Sequence, residues 1–188
     1  MMKSELINLI ELMPNARRIH RDKVTDFVLR NKQYIKELLE LIFGDNKKLA
    51  IRASWILELV CVNDVKLLEP FFNYYIENLQ KPKDESIIRP LAKICFLYVD
   101  EFTSVDRPSN NIFISEINKN KIIEVCFDWL INKHNVANHI YAMDTLYLLG
   151  NQYKWVHTEL KLVLERNIST GSPGYQVRAK RLLKKLNI

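Results

Sequence analysis

The 188-residue chain contains 48% hydrophobic residues, which excludes an extensively disordered protein, and its 4 glycines and 6 prolines supply too few turns for a many-stranded sandwich or barrel. Its formal net charge of +6 is concentrated at the C-terminal end, where residues 154–188 carry 8 basic and 2 acidic side chains. A basic end can meet nucleic acid, an anionic membrane or an acidic protein, and basic helices are also common on soluble proteins. The charge therefore does not select a partner.

Apolar residues recur at helical spacing along the whole chain, separated by short polar breaks, and this predicts an all-α protein. The first predicted helix runs from about Ser4, a candidate N-cap, to Met13 and stops before Pro14. The later predicted helices lie around Val24–Val28 and over Tyr34–Phe43 (ended by Gly44), Lys47–Val62, Val65–Gln80, Glu85–Phe102, Asn118–Lys133, Val136–Leu149, Lys154–Asn167 and Pro173–Leu186.

Four of these helices share a ten-residue pattern. The copies read IRASWILELV from residue 51, IRPLAKICFL from 88, IYAMDTLYLL from 140 and VRAKRLLKKL from 177. They begin 37, 52 and 37 residues apart, and the longer middle spacing is explained by one insertion at 104–116. A constant spacing of this length indicates a repeated supersecondary unit, here a pair of helices.

A helix pair of about 37 to 40 residues with an apolar-Arg-small opening on its second helix, and with Pro70 inside the first helix of one pair, resembles the HEAT repeat of the armadillo-like family. Tyr141 replaces the arginine in the third copy and Pro90 replaces the small residue in the second. The resemblance covers about residues 20–188. It implies a right-handed α-α superhelix of about four HEAT-like pairs in one domain, with 1–19 as an N-terminal cap and 104–116 as a loop insertion.

No nucleophile motif, glycine-rich phosphate loop or metal-ligand spacing is visible in the sequence, so we expect no cofactor and no metal. We expect a non-catalytic scaffold or adaptor that binds a protein partner on the concave surface such repeats form. The alternative is a nucleic-acid-binding protein related to DNA-alkylation-repair glycosylases, which are built from HEAT-like repeats. Asp144, Trp55 and the basic C-terminal helix are similar to the aspartate, tryptophans and basic groove of that class, and they leave an enzymatic role open.

Asp144 is a candidate binding residue because it is a carboxylate where the other copies have Trp55, Ala92 and Arg181. One interpretation is a general base or cation-binding spot beside aromatic residues such as Tyr141. The other is a polar tie to Tyr141, to Tyr147 or to an arginine of a neighbouring unit, because an unpaired buried carboxylate would be costly.

The last helix carries a basic stripe, which we define as Lys180, Arg181, Lys184 and Lys185, with Arg178 beside it. The stripe is either a polyanion-binding surface or a solvated helix face, while the apolar side chains of the helix remain for packing. These apolar side chains are Val177, Leu182, Leu183 and Leu186.

Arg178, Arg89 and Arg52 occupy the repeated arginine position and could contact phosphate from one face. For Arg52 and Arg89 we favour a structural role, with bonds to carbonyls or to turn carboxylates such as Asp45 and Asp84.

Cysteines and tryptophans complete the prediction. Three widely spaced cysteines in apolar contexts indicate buried thiols in a reducing compartment. The sequence shows no apolar run typical of a signal peptide or of a membrane span. We therefore expect a cytoplasmic protein without a membrane contact. The tryptophans could stack on nucleic-acid bases, but they occupy apolar helical positions typical of a core, which is the interpretation we favour. These residues are Cys61, Cys95, Cys126, Trp55, Trp129 and Trp155.

Overall fold

The computed structural model describes residues 4–104, 113–132 and 135–186, and these residues form helices and connecting turns without a strand. The predicted all-α class is therefore confirmed. The helices are α1 Glu5–Leu12, α2 Arg18–Arg30, α3 Tyr34–Ile42, α4 Lys47–Asn63, α5 Phe72–Asn78, α6 Glu85–Thr103, α7 Glu116–Ile131, α8 Val136–Gly150, α9 Lys154–Asn167 and α10 Pro173–Leu186, with a 3-10 helix at Val65–Phe71.

Polar side chains at the predicted breaks cap the helices, because the first amides of a helix have no partner inside it. Ser4 accepts a hydrogen bond from the Ile7 amide at 3.1 Å, as its predicted N-cap position requires. Ser115 accepts from the Asn118 amide at 3.2 Å and so starts α7. Pro173 is the first residue of α10, a position where its missing amide hydrogen costs nothing.

The predicted helix over Val65–Gln80 is wrong as a single element. The structure has a 3-10 helix at Val65–Phe71, followed by α5. Pro70 explains the difference, because inside an α-helix its ring would meet the carbonyl four residues earlier and its nitrogen could not donate. A short 3-10 segment places the proline with less conflict before the α-helix begins.

The chain divides into two compact units, Met1–Ile94 and Cys95–Ile188, with the boundary inside α6. In the first unit α4 packs against α1, α2, α3 and the 3-10 helix. The core there is mainly aliphatic, with Phe72 and Tyr75 also buried, and several of its aliphatic side chains are fully buried. These include Leu38, Leu39, Ile56, Leu57 and Val60. Burial of this apolar surface is the main force that holds such helices together.

In the second unit α8 packs against α7, α9 and α10, and α9 also packs against α10. Met143, Leu146 and Leu149 of α8 are fully buried, so α8 forms the centre of this unit. The superhelix of four HEAT-like pairs and the single-domain organisation stay predictions. Most of the predicted loop insertion, residues 105–112, lies outside the described residues.

Two predictions about the surroundings of the chain can be compared with the structure. The three cysteines are buried free thiols, as predicted. No helix within the described ranges is both long and apolar enough to cross a membrane.

At the end of the loop insertion, Ile114 is fully buried whereas Phe113 is 73% exposed, so of these two side chains only Ile114 packs on the helices.

Candidate functional site

Asp144 on α8 and Arg178 on α10 form a two-point ion pair. Arg178 Nε donates to Asp144 Oδ1 at 2.7 Å, and Arg178 Nη2 donates to Asp144 Oδ2. The Asp144 residue is only 7% exposed, so the carboxylate has an arginine partner where water is scarce. Of the two interpretations of Asp144, this contact corresponds to the polar tie with an arginine of a neighbouring copy, because two parallel hydrogen bonds fix both side chains.

The electrostatics of Asp144 reflect two opposing causes. Burial raises the pKa of the Asp144 carboxyl above its ordinary value of 3.8. The hydrogen bonds and charge of Arg178 act in the opposite direction, and the charges of Arg181 and Lys185 add to them. The ionised form of Asp144 therefore depends on its cationic neighbours.

A groove lies beside this ion pair, with a volume of about 170 Å³. We call it the α8–α10 groove. Its charged lining consists of Asp100, Asp144, Arg178, Arg181 and Lys185, and its apolar and aromatic lining consists of Phe96, Tyr147, Leu148 and Leu182. The groove thus combines three cations and two carboxylates with an apolar wall, within the second unit alone.

Tyr147 is held between two neighbours. The Lys185 ammonium lies 5.0 Å from the centroid of the Tyr147 ring, within the range of a cation–π interaction. The His157 ring stacks on Tyr147 with centroids 5.3 Å apart, and His157 Nε2 lies 2.8 Å from the Tyr147 carbonyl oxygen. Tyr147 and Lys185 are therefore in contact where both line the groove.

The two remaining aromatic candidates belong to different units. Tyr141 is half-buried, and its ring lies 6.1 Å from that of Phe96, centroid to centroid. Trp55 belongs to the first unit, where the Arg21 guanidinium lies 6.0 Å from the centroid of its ring. Among the described contacts neither Tyr141 nor Tyr147 hydrogen-bonds to Asp144, whose partner is Arg178.

The four residues of the basic stripe are all exposed, and none makes an ion pair with a described residue. The buried face of α10 consists of Tyr175, Ala179 and Leu182, at spacings of four and three residues. Val177 lies off that face and is 70% exposed, so its predicted packing role is wrong. Leu182 is buried and Leu183 and Leu186 are half-buried, as a packing role requires.

Arg52 has the structural role that its repeat position predicts. Its Nη1 donates to the carbonyl oxygens of Ile10 at 2.7 Å and Glu11 at 3.1 Å, at the end of α1. The last carbonyls of a helix lack intrahelical partners; that of Ile10 accepts from the Met13 amide at 3.3 Å, and Arg52 adds a charged donor that ties α1 to α4.

Arg89 is also structural, with a partner other than the expected turn carboxylates. Arg89 Nη2 and Lys93 Nζ each donate to one carboxylate oxygen of Glu58 at 2.9 Å. The Glu58 side chain is 6% exposed, so the two cations balance a charge that would be costly alone. Asp84, one expected partner, instead pairs with Lys47 at 2.8 Å, and the Lys47 hydrogen bond is the main reason the pKa of Asp84 is lowered.

Trp155 departs from the prediction that the tryptophans are core residues. Trp129 is 5% exposed, as expected, whereas Trp155 is 53% exposed and stacks on Phe127 with centroids 6.3 Å apart. We define the α7–α9 patch by the apolar side chains that share these two helix faces. They are Phe127, Ile131, Trp155 and Leu162. Ile131 is 64% exposed and Leu162 is 53% exposed, so the patch is open to solvent.

Sequence spacing could have revealed this patch. The buried residues of α9 are Val156, Leu160 and Leu164, spaced by four. Trp155 stands one residue before this series, which turns it about 100° away from the buried face. Leu162 follows Trp155 by seven residues and therefore shares its face.

No group of three histidine, cysteine or carboxylate side chains within the described ranges could hold a metal ion. No protein-family model, curated protein or solved structure matches the chain. Its resemblance to HEAT repeats consequently rests on the repeated sequence alone.

Proposed function

We propose that this protein is a non-catalytic helical-repeat scaffold that binds a protein partner through the α7–α9 patch. The observation that carries the proposal is the exposure of Trp155 at 53%, with its ring stacked on Phe127 and with Leu162 about two helical turns further along the same face of α9. A large aromatic side chain on a surface has much apolar area to bury and little conformational freedom to lose. Tryptophan is accordingly enriched among the residues that dominate binding energy at protein interfaces.

The chemistry around the patch indicates the kind of partner. Glu159 lies one turn after Trp155 and is an exposed carboxylate. A complementary partner would place an apolar or aromatic side chain against Trp155 and carry a basic residue near Glu159. Such charges at the edge of an interface chiefly increase the association rate and the specificity.

The buried charges of the protein support a structural rather than a chemical role for its interior. Asp144 is held by Arg178, Glu58 is held by two cations, and the Arg52 guanidinium is bound to the carbonyls at the end of α1. Charges that are paired in this way keep helices in register and satisfy buried groups. These ties would hold the surface of a scaffold in a fixed shape.

Affinity purification with matched variants tests this proposal. Trp155→Ala removes the proposed anchor, and Val177→Ala is the control because Val177 is an exposed apolar residue on α10, outside the patch. A specific partner should be retained by the wild type and the control, and its affinity, measured with purified components, should fall at least about tenfold for Trp155→Ala. Equal affinity for all three proteins would refute the proposal.

Nucleic-acid binding is a second candidate, favoured by the basic stripe. Lys180, Arg181, Lys184 and Lys185 are exposed on successive turns of one helix without an ion pair to any described residue. Such cations would release counterions from a nucleic acid, independently of its sequence. A gel shift at low salt tests this candidate. Retardation that weakens steeply with salt and disappears when all four are changed to Gln would support it, and no retardation at about 100 µM protein would remove it.

A further inference from the structure

We propose that the α8–α10 groove is a binding site for a single phosphomonoester group, held by Arg178, Arg181 and Lys185. These three cations line one small groove beside an apolar wall that contains Phe96 and Leu148. The proposal concerns a local site in the second unit. It is independent of partner binding at the α7–α9 patch.

The groove offers hydrogen-bond donors that the protein itself does not use. Arg178 engages Asp144 through Nε and Nη2, which leaves Nη1 without a hydrogen bond to a described residue. Arg181 and Lys185 are exposed and have no ion pair within the described part of the chain. Arginine and lysine side chains donate strong charge-assisted hydrogen bonds to phosphate oxygens.

The charge balance of the groove favours an anion. Asp144 is already engaged by Arg178, so its negative charge is largely compensated within the protein. The remaining charges of the lining are one negative charge, on Asp100, and two positive charges, on the exposed Arg181 and Lys185. A phosphomonoester carries about −1.5 to −2 charge at neutral pH and three acceptor oxygens, so it matches several converging donors better than a carboxylate does.

The size of the groove limits what can enter. A volume of about 170 Å³ is below the range of about 300 to 1,000 Å³ typical of sites for drug-sized ligands. The groove is therefore suited to a phosphate group and the carbon atoms next to it, which would lie against Phe96 and Leu148. Larger parts of such a ligand would remain outside.

The neighbouring lysines of α10 supply a matched control. Arg181 and Lys185 line the groove, whereas Lys180 and Lys184 are equally exposed on the same helix but do not line it. Changing either pair to Gln removes two positive charges. Both changes would weaken a general attraction of anions to α10 by a similar amount. Only the change at Arg181 and Lys185 would weaken binding at a site in the groove.

Titration calorimetry at constant ionic strength, with phenyl phosphate and inorganic phosphate as probes, tests the proposal. We expect the wild type to bind phenyl phosphate with a Kd on the order of 0.1 to 1 mM. Arg181→Gln/Lys185→Gln should weaken binding at least about tenfold, and Lys180→Gln/Lys184→Gln should change it less than about twofold. Tighter binding of phenyl phosphate than of inorganic phosphate would identify an organic ester as the ligand, and equal binding would identify free phosphate.

Two results would overturn the proposal. One is the absence of saturable binding of either probe at about 10 mM. The other is an equal loss of phosphate affinity in the two double variants, which would show a general attraction of anions to the charge of α10 and no site in the groove. Trp155→Ala should leave phosphate binding unchanged, so a failure of the groove proposal and a failure of the scaffold proposal can be distinguished.

Discussion

Asp144 and Arg178 are 34 residues apart in the sequence, yet they share two hydrogen bonds between α8 and α10. Arg178 thus differs from the exposed cations that follow it, because its charge is engaged inside the second unit. The pair ties the terminal helix to the central helix of this unit. It also places Arg178 in the lining of the α8–α10 groove, together with Arg181 and Lys185.

Breaking this pair should destabilise the protein asymmetrically. Arg178→Met leaves the nearly buried Asp144 carboxylate without its partner and should lower the free energy of unfolding by about 2 to 4 kcal/mol. Asp144→Leu should cost less, because the Arg178 side chain is 29% exposed and can reach water. Urea unfolding measures both. The double variant Asp144→Leu/Arg178→Met should be more stable than Arg178→Met alone, and a double variant that is less stable would contradict this interpretation.

The cost of Arg178→Met should also depend on pH. Burial raises the folded-state pKa of Asp144 above 3.8, so its contribution to stability is fully present below pH 3.8 and is lost as the pH rises through the folded pKa. Removal of Arg178 deletes an interaction that lowers this pKa. The loss of folding stability with rising pH therefore becomes larger and extends to higher pH. The difference in unfolding free energy between variant and wild type should therefore grow from pH 4 to pH 7. A constant difference would be evidence against the pair.

Gly150→Ala should destabilise the protein although alanine normally favours a helix. A Cβ atom at Gly150 would lie 1.9 Å from His157 Cδ2, and the His157 ring is held there by Tyr147. We expect a loss of about 1 to 3 kcal/mol from overpacking, against a gain of about 1 kcal/mol from helix propensity elsewhere. Thermal unfolding measures the effect. In a His157→Ala background the same substitution should become neutral or stabilising; an unchanged loss would mean that the close approach is not its cause.

The cysteines should react slowly with thiol reagents in the native protein. Burial raises the pKa of both Cys61 and Cys126, and for Cys61 the nearby charges of Asp64 and Glu58 add to the effect. The thiolate is the reactive form, and these thiols are also shielded from solvent. Labelling followed by mass spectrometry should show fast modification of Cys61, Cys95 and Cys126 only after unfolding. Rapid labelling of the native protein at any of the three would contradict the buried positions.

Local features of the fold could be predicted from the sequence because their causes are local. Ser4 caps α1 through an amide three residues away, and the α10 range Pro173–Leu186 follows from its first proline and its apolar spacing. The segment around Pro70 was harder, because apolar spacing does not distinguish an α-helix from a 3-10 turn followed by a short α-helix. Periodicity gives the buried face and leaves the hydrogen-bond pattern undetermined.

The candidate site was predictable only in part, because it depends on contacts between distant segments. The sequence indicated that Asp144 needs a polar partner, since an unpaired buried carboxylate is costly. It could not choose among tyrosines and arginines without the packing of α8 against α10. The prediction that Trp155 is a core residue is wrong for a different reason. An apolar position in a helix indicates burial only when it shares the buried face, and the register with Val156, Leu160 and Leu164 places Trp155 on another face.

Site-specific photocrosslinking tests the proposed scaffold function most directly. A photoreactive phenylalanine analogue at position 155 replaces one exposed aromatic ring with another, and the same analogue at position 177 on α10 serves as the control. In the cells that naturally make this protein, we expect irradiation to give one discrete protein adduct from position 155 and none of that mass from position 177. Adducts of equal yield from both positions, or none from position 155, would contradict binding through the α7–α9 patch.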